Sequence, residues 1–261
     1  MSKRMIILVI ISASMLFIVS CRKVRDTSDN NMPQISSSTS LNDNQEYQSG
    51  VIPDELEYIP SEYYNPAKQQ GRLEKITYDT YESFSYEKKT QKLTKEAWVY
   101  IPYGYTEENK YNVFYLSHGG WSNETSLMGT DNNPRPFKNV IDNAIQDGKI
   151  NPLIIVLPTY NNTSQNDSGD YSLAIQLTNQ FHNELVNDLI PAVEGKYSTY
   201  ADDTSREGIK QSRDHRGFGG FSMGSVNTWN TFRYCLDYFR YFMPMSGSYS
   251  TDGKYMADSL F

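Results

Sequence analysis

The chain has 261 residues, of which 38% are hydrophobic and 21% charged, enough for one large domain with a packed core plus a targeting segment and a linker. Its net charge is −7 and no long basic run follows the first residues, so nucleic acid is excluded as an expected partner. There are two cysteines, Cys21 and Cys235. Cys21 has a separate reading given next, so no internal disulfide is expected and Cys235 reads as a small core hydrophobe.

Residues 1–21 read as an address. Lys3 and Arg4 precede an apolar run from Met5 to Val19, about fifteen residues, short for a membrane span and right for the core of a signal peptide. The run ends in Ile18-Val19-Ser20-Cys21, which resembles a bacterial lipobox. That resemblance implies cleavage before Cys21 and a lipid on its sulfur. Acyl chains contribute about 0.8 kcal/mol per buried methylene, so two or three of them anchor stably. The expected location is extracytoplasmic, on a bacterial membrane or cell surface. Residues 22–56 read as a flexible polar linker. The stretch from Asp26 to Gly50 is dense in Ser, Asn, Asp, Gln and Thr and cannot offset its own ordering entropy.

Residues 57–261 read as the folded domain. Leu73 to Thr80 and Glu96 to Ile101 are rich in β-branched and aromatic residues and predict strands. Pro102-Tyr103-Gly104-Tyr105 predicts a turn. Val113 to Leu116 is a short apolar strand that enters Ser117-His118-Gly119-Gly120. Phe137, Val140, Ile141, Ala144 and Ile145 fall at helical spacing. Leu153 to Leu157 is apolar throughout and closed by Pro158, the pattern of a strand buried on both faces. Leu173 to Ile190 predicts an amphipathic helix, Arg216 to Phe221 a buried strand, Ser222 onward a helix, and Phe239 to Met245 a further strand. Strands alternating with helices predict an α/β fold with a mainly parallel sheet.

Gly220-Phe221-Ser222-Met223-Gly224 is a G-x-S-x-G pentapeptide between a predicted strand and a predicted helix. That context is what a nucleophile elbow needs: a sharp turn, small residues on either side, and a serine lifted above the sheet. Ser222 is therefore the candidate nucleophile. The Met223 N–H, at the start of the helix, is a candidate donor to an oxyanion. His118-Gly119-Gly120-Trp121 follows an earlier strand and supplies further candidates, the backbone N–H groups of Gly119, Gly120 and Trp121. Trp121 and Tyr160 are candidates for contact with an aromatic substrate group.

Four segments carry a family resemblance. They are Tyr100 to Tyr105, Tyr115 to Gly120, Arg213 to Ser225, and Phe242 to Gly247. In order and spacing they resemble the feruloyl and acetyl xylan esterases of carbohydrate esterase family one, within the wider esterase D group. The resemblance runs from about Tyr58 to Phe261. It implies an α/β-hydrolase, a three-layer sandwich around a mainly parallel sheet. It also implies serine-dependent hydrolysis of esters on plant cell-wall polysaccharide, with ferulate release from xylan ahead of acetate release, and no metal or cofactor.

One departure bears on the chemistry. In this fold the triad runs serine, acid, histidine along the chain, yet none of the 39 residues after Ser222 is histidine. His215 begins the strand leading to Ser222 and lies at its far end. His182 falls within a helix. His118 has a context suited to bracing its loop. Asp252 follows the last predicted strand and is the one acid in a plausible place. The ending Asp258-Ser259-Leu260-Phe261 reads as the middle of a helix without a stop signal. The expectation is a domain incomplete at its C-terminus, with its last strands, acid and histidine beyond Phe261. The rival reading is a glycan-binding surface lipoprotein that keeps the scaffold without catalysis.

Overall fold

The computed structural model describes residues 58–247, so the leader, Cys21, the linker, Asp252 and the chain end lie outside the described residues. Six strands form one sheet in the order β1-β2-β4-β3-β5-β6. β1 (Arg72–Tyr81) pairs antiparallel with β2 (Lys92–Ile101), and β2 pairs antiparallel with β4 (Ile154–Leu157). From β4 the sheet is parallel, through β3 (Val113–Ser117) and β5 (Arg216–Phe221) to β6 (Tyr241–Met245). Parallel neighbours need crossover connections, and helices supply them. α1 (Pro136–Gln146) joins β3 to β4. α2 (Tyr171–Glu184), α3 (Ile190–Glu194) and α4 (Arg206–Gln211) lie between β4 and β5, and α5 (Met223–Tyr234) joins β5 to β6.

Both faces of the sheet are covered. Ile154 and Val156 face a core that includes Leu177 and Phe181 of α2 and Met223 of α5. Ile155 and Leu157 face a second core with Phe137, Val140 and Ile141 of α1. All four β4 residues are buried, which is why that run is apolar without alternation. The result is the three-layer α/β-hydrolase sandwich expected from the sequence. Among the described residues no helix is long and apolar enough to cross a membrane.

Several elements differ from expectation, and β2 begins at Lys92 rather than Glu96. The helix expected over Leu173 to Ile190 starts at Tyr171, where the Asp170 carboxylate accepts the Leu173 N–H at 3.0 Å. It widens into a π turn at Leu185–Leu189 and continues as α3. Pro191 explains the widening: its ring would meet the carbonyl four residues back in a regular helix. α4 was not legible, since Ile209 is its one large apolar residue. β6 starts at Tyr241 rather than Phe239. Phe239 is instead in the core, edge-on to Tyr115 and Phe218.

The end of β5 remote from Ser222 is fastened by Arg216. Its buried guanidinium makes two bonds to Glu194, at 2.6 and 2.8 Å, and others to the Ile209 and Tyr238 carbonyls and to Ser212 Oγ. A buried charge satisfied this fully ties α3, α4 and β5 into one block.

Candidate active site

β5 delivers Ser222 to the C-terminal edge of the parallel strands. Ser222 has φ 57° and ψ −116°, a conformation that residues with a side chain rarely adopt. The surroundings hold it there. Its N–H donates to Met245 O at 2.9 Å, and its carbonyl accepts the Ser225 N–H at 2.9 Å and the Val226 N–H at 3.3 Å. Two glycines close the elbow. A Cβ on Gly220 would collide with the backbone of Gly224. One on Gly224 would lie 2.5 Å from Ser117 O and 2.7 Å from His118 O. Strand, helix and the end of β3 thus meet at backbone contact, which only glycine permits. Asn227 Nδ2 donates to Ser117 Oγ at 3.0 Å and Ser225 Oγ to Gly247 O at 2.7 Å, fixing α5 to its neighbours.

Met223 is the first residue of α5, and no described residue accepts its N–H. First-turn N–H groups lack intrahelical acceptors and carry the positive end of the helix dipole. This group is therefore suited to charge that develops beside Ser222.

Two site residues differ from expectation, Trp121 in the loop after β3 and Tyr160 after β4. The Trp121 N–H, expected to be an oxyanion donor, is engaged with Ser168 O at 2.9 Å. That leaves the Gly119 and Gly120 groups as the loop's candidates. The Trp121 side chain is 75% exposed, on a backbone at φ 53°. Its backbone is held by a turn, Asp167–Gly169, whose contact with Trp121 carries no signal in the sequence. Ser168 Oγ donates to Ser122 O at 2.7 Å, and Asn161 Nδ2 donates to the same carbonyl at 3.1 Å. Tyr160 needs a second correction. It is 1% exposed, its ring stacks on His118, and its hydroxyl donates to Gly119 O at 2.9 Å. A side chain so enclosed braces the loop and does not line a substrate pocket.

The three histidines are all placed. His118 is buried, with Nδ1 2.7 Å from Gly119 O and Nε2 2.8 Å from Thr159 Oγ1. Burial pushes its pKa down to about 4, so the ring is neutral near pH 7. His182 stacks on Tyr234 between α2 and α5, with Nδ1 against Asn179 O. His215 precedes β5, stacks on Tyr200 and meets Asn112 Oδ1 at 2.8 Å. Among the described residues no hydrogen bond links a histidine to the Ser222 hydroxyl. Cys235 is buried, and burial raises its thiol to about 12, as suits a core residue. No group of three or more His, Cys, Asp or Glu among the described residues forms a metal cluster. Two surface clefts, one at Leu73, Glu74, Trp98 and Asp131 and one at Ser83, Phe84, Tyr86 and Gln180, do not include Ser222.

A strained serine between a parallel strand and a helix N-terminus, beside a glycine loop, defines an α/β-hydrolase with a nucleophile-elbow geometry. Comparison with known proteins agrees. The model of the Esterase family, described as "Putative esterase", matches residues 92–255, a span that contains both the glycine loop and Ser222. The chain belongs to this esterase family. It is 44% identical over 193 residues to endo-1,4-beta-xylanase Y of Acetivibrio thermocellus, covering 73% of this chain and 15% of that protein. It is 34% identical over 137 residues to an endo-1,4-beta-xylanase/feruloyl esterase of Xylanibacter ruminicola, covering 50% of this chain and 16% of that protein. Among solved structures, a serine-to-alanine mutant of the feruloyl esterase module from Clostridium thermocellum, complexed with sinapinate, is 41% identical. It aligns with a TM-score of 0.63 over 77% of this chain and 63% of that one. A ferulic acid esterase from Anaeromyces mucronatus, 23% identical with a TM-score of 0.53 over 70% of this chain and 61% of that one, shares the fold. The chain thus spans under a fifth of the two curated relatives and under two thirds of these structures.

Proposed function

We propose that the chain carries the nucleophile and oxyanion elements of a serine esterase that releases hydroxycinnamates such as ferulate from plant cell-wall xylan. The observation that carries this reading is Ser222 in its strained elbow, beside a Met223 N–H that no described residue accepts. The kinship to feruloyl esterase modules supports the substrate class. Ser222 Oγ attacks the ester carbonyl carbon and the carbonyl π pair moves to oxygen. The oxyanion is held by backbone N–H groups. Collapse of this intermediate breaks the bond to the sugar oxygen, which leaves protonated, and water then hydrolyses the acyl-enzyme to the free acid. The base that takes the Ser222 proton is none of the three histidines present. The exposed Trp121 ring is the candidate platform for the phenolic group.

The test is hydrolysis of methyl ferulate and of an aryl acetate by the entire product of the gene, with Ser222→Ala as control. Ferulate release that falls by about 10⁴-fold or more in the variant supports the reading. A folded product that releases neither acid overturns it, and preference for acetate assigns the acetyl substrate instead. We also propose that Cys21 is lipidated and tethers the domain outside the cytoplasm. Mass spectrometry of the N-terminal peptide tests this, and an unmodified or retained leader would refute it.

A further inference from the structure

The Gly119 carbonyl has two donors. Tyr160 Oη donates to it at 2.9 Å, and His118 Nδ1 lies 2.7 Å from it. A carbonyl oxygen only accepts, so Nδ1 carries the ring proton. Nε2 is then the acceptor, and the Thr159 hydroxyl donates to it across 2.8 Å. Thr159 is itself fixed. Its Oγ1 accepts the Asn161 N–H at 3.1 Å, and its carbonyl accepts Lys95 Nζ at 2.8 Å. Lys95 is paired with the buried Glu184, which also takes the Tyr78 hydroxyl. The His118 and Tyr160 rings stack with centroids 4.4 Å apart. Every side chain in this chain of contacts is buried.

The geometry of one peptide unit gives this network a use. In a trans peptide the carbonyl and the N–H point in opposite directions, and the described chain has no cis bond. Drawing the Gly119 carbonyl into the buried layer turns the Gly120 N–H out of it, at a residue that is partly exposed. The unit lies between two glycines, which makes it easy to flip, since neither flanking torsion is restrained by a Cβ. A flipped unit would place a carbonyl oxygen where an oxyanion is to bind. The neighbouring Trp121 N–H cannot substitute, because Ser168 O holds it.

We propose that Tyr160 and His118, with Thr159 behind them, clamp the Gly119 carbonyl so that the Gly120 N–H serves as the second oxyanion donor opposite Met223. Tyr160 and Thr159 are then positioning residues, acting through a peptide group that neither shares. The proposal rests on the esterase reading above, and its test is arranged so that the two can fail separately.

The experiment compares the entire gene product with its Tyr160→Phe and Thr159→Val variants, which keep the ring and the side-chain shape. An aryl boronic acid adds to Ser222 Oγ and places a tetrahedral oxygen in the oxyanion site without turnover. Ferulate, a planar ligand, reports ground-state binding. In each variant boronate affinity should fall between about tenfold and a hundredfold, less than loss of a whole donor. Ferulate affinity and the thermal midpoint should hold, and kcat on methyl ferulate should fall with KM within about twofold. Unchanged boronate affinity in both variants overturns the clamp, as does equal weakening of boronate and ferulate. A wild type that forms no boronate adduct overturns it too. If the wild type binds boronate, the variants lose it, and no protein hydrolyses ester, the clamp stands and the esterase reading falls.

Discussion

His118 shows how burial decides a residue's chemistry. Tyr160, Thr159 and the Gly119 carbonyl surround its ring, and the charge of Lys95 acts on it. Burial is the larger cause of its lowered pKa and the Lys95 ammonium adds to it. Between pH 6.5, where an unfolded histidine titrates, and about pH 4 in the fold, the unfolded chain binds a proton that the folded chain does not. Stability therefore falls as pH falls through that window, and the loss from this one residue is complete just below it, at about 3 kcal/mol. Urea unfolding at pH 7 and pH 4.5 measures it. His118→Asn should be less stable at pH 7 yet show a shallower acid loss than wild type. An equal slope in both would assign the acid sensitivity to other groups. The histidine was visible in the sequence as a loop brace. The role of Tyr160, which stacks on it, was not, because the Tyr160 hydroxyl donates to Gly119 O across 41 residues of sequence and nothing local distinguishes a buried tyrosine from one in a pocket.

At the scale of elements, β5, Ser222 and α5 form one device. The pentapeptide made its existence legible, since glycines at 220 and 224 around a serine have little other use between a strand and a helix. Its strain is a property of the tertiary structure. Ser222 is held at positive φ by Met245 on the neighbouring strand and by the first turn of α5. A backbone in that region costs on the order of 1–3 kcal/mol for a residue with a Cβ, and glycine is relieved of most of it. Ser222→Gly should thus abolish hydrolysis and raise unfolding stability by about 1 kcal/mol or more in urea titration. A variant less stable than wild type would show that the elbow is not strained. The π turn before Pro191 and the short α4 were illegible for a different reason. Each exists because packing tolerates or requires it, and a six-residue helix with one large apolar side chain leaves no periodic trace.

For the whole molecule, the informative feature is a sheet with two separate cores. Ile154 and Ile155 are adjacent in sequence, yet they belong to opposite cores. Truncating a buried isoleucine to alanine costs about 2–5 kcal/mol. Ile154→Ala and Ile155→Ala should each fall in that range, and the double variant should equal their sum to within about 0.5 kcal/mol, because the sheet keeps the two cavities apart. Coupling of more than 1 kcal/mol in urea-derived stabilities would contradict the layering. Continuous apolar runs announce such strands, so the fold class could be read in part from β3 and β4 in the sequence. The order β1-β2-β4-β3-β5-β6 could not, since strand pairing depends on contacts far apart in the chain.

By itself the sequence determined the alternation of strands and helices, the doubly covered sheet and the elbow serine. These are local or periodic properties, set by neighbouring side chains and by backbone freedom at a few glycines. Only the tertiary structure decided which N–H groups remain available around Ser222, that Tyr160 is a brace and not a wall, and that Trp121 is held outward by a turn more than forty residues away. Those outcomes are hydrogen-bond choices among groups distant in sequence. Burial settles them, because a donor or acceptor taken out of water must find a partner wherever the fold has placed one.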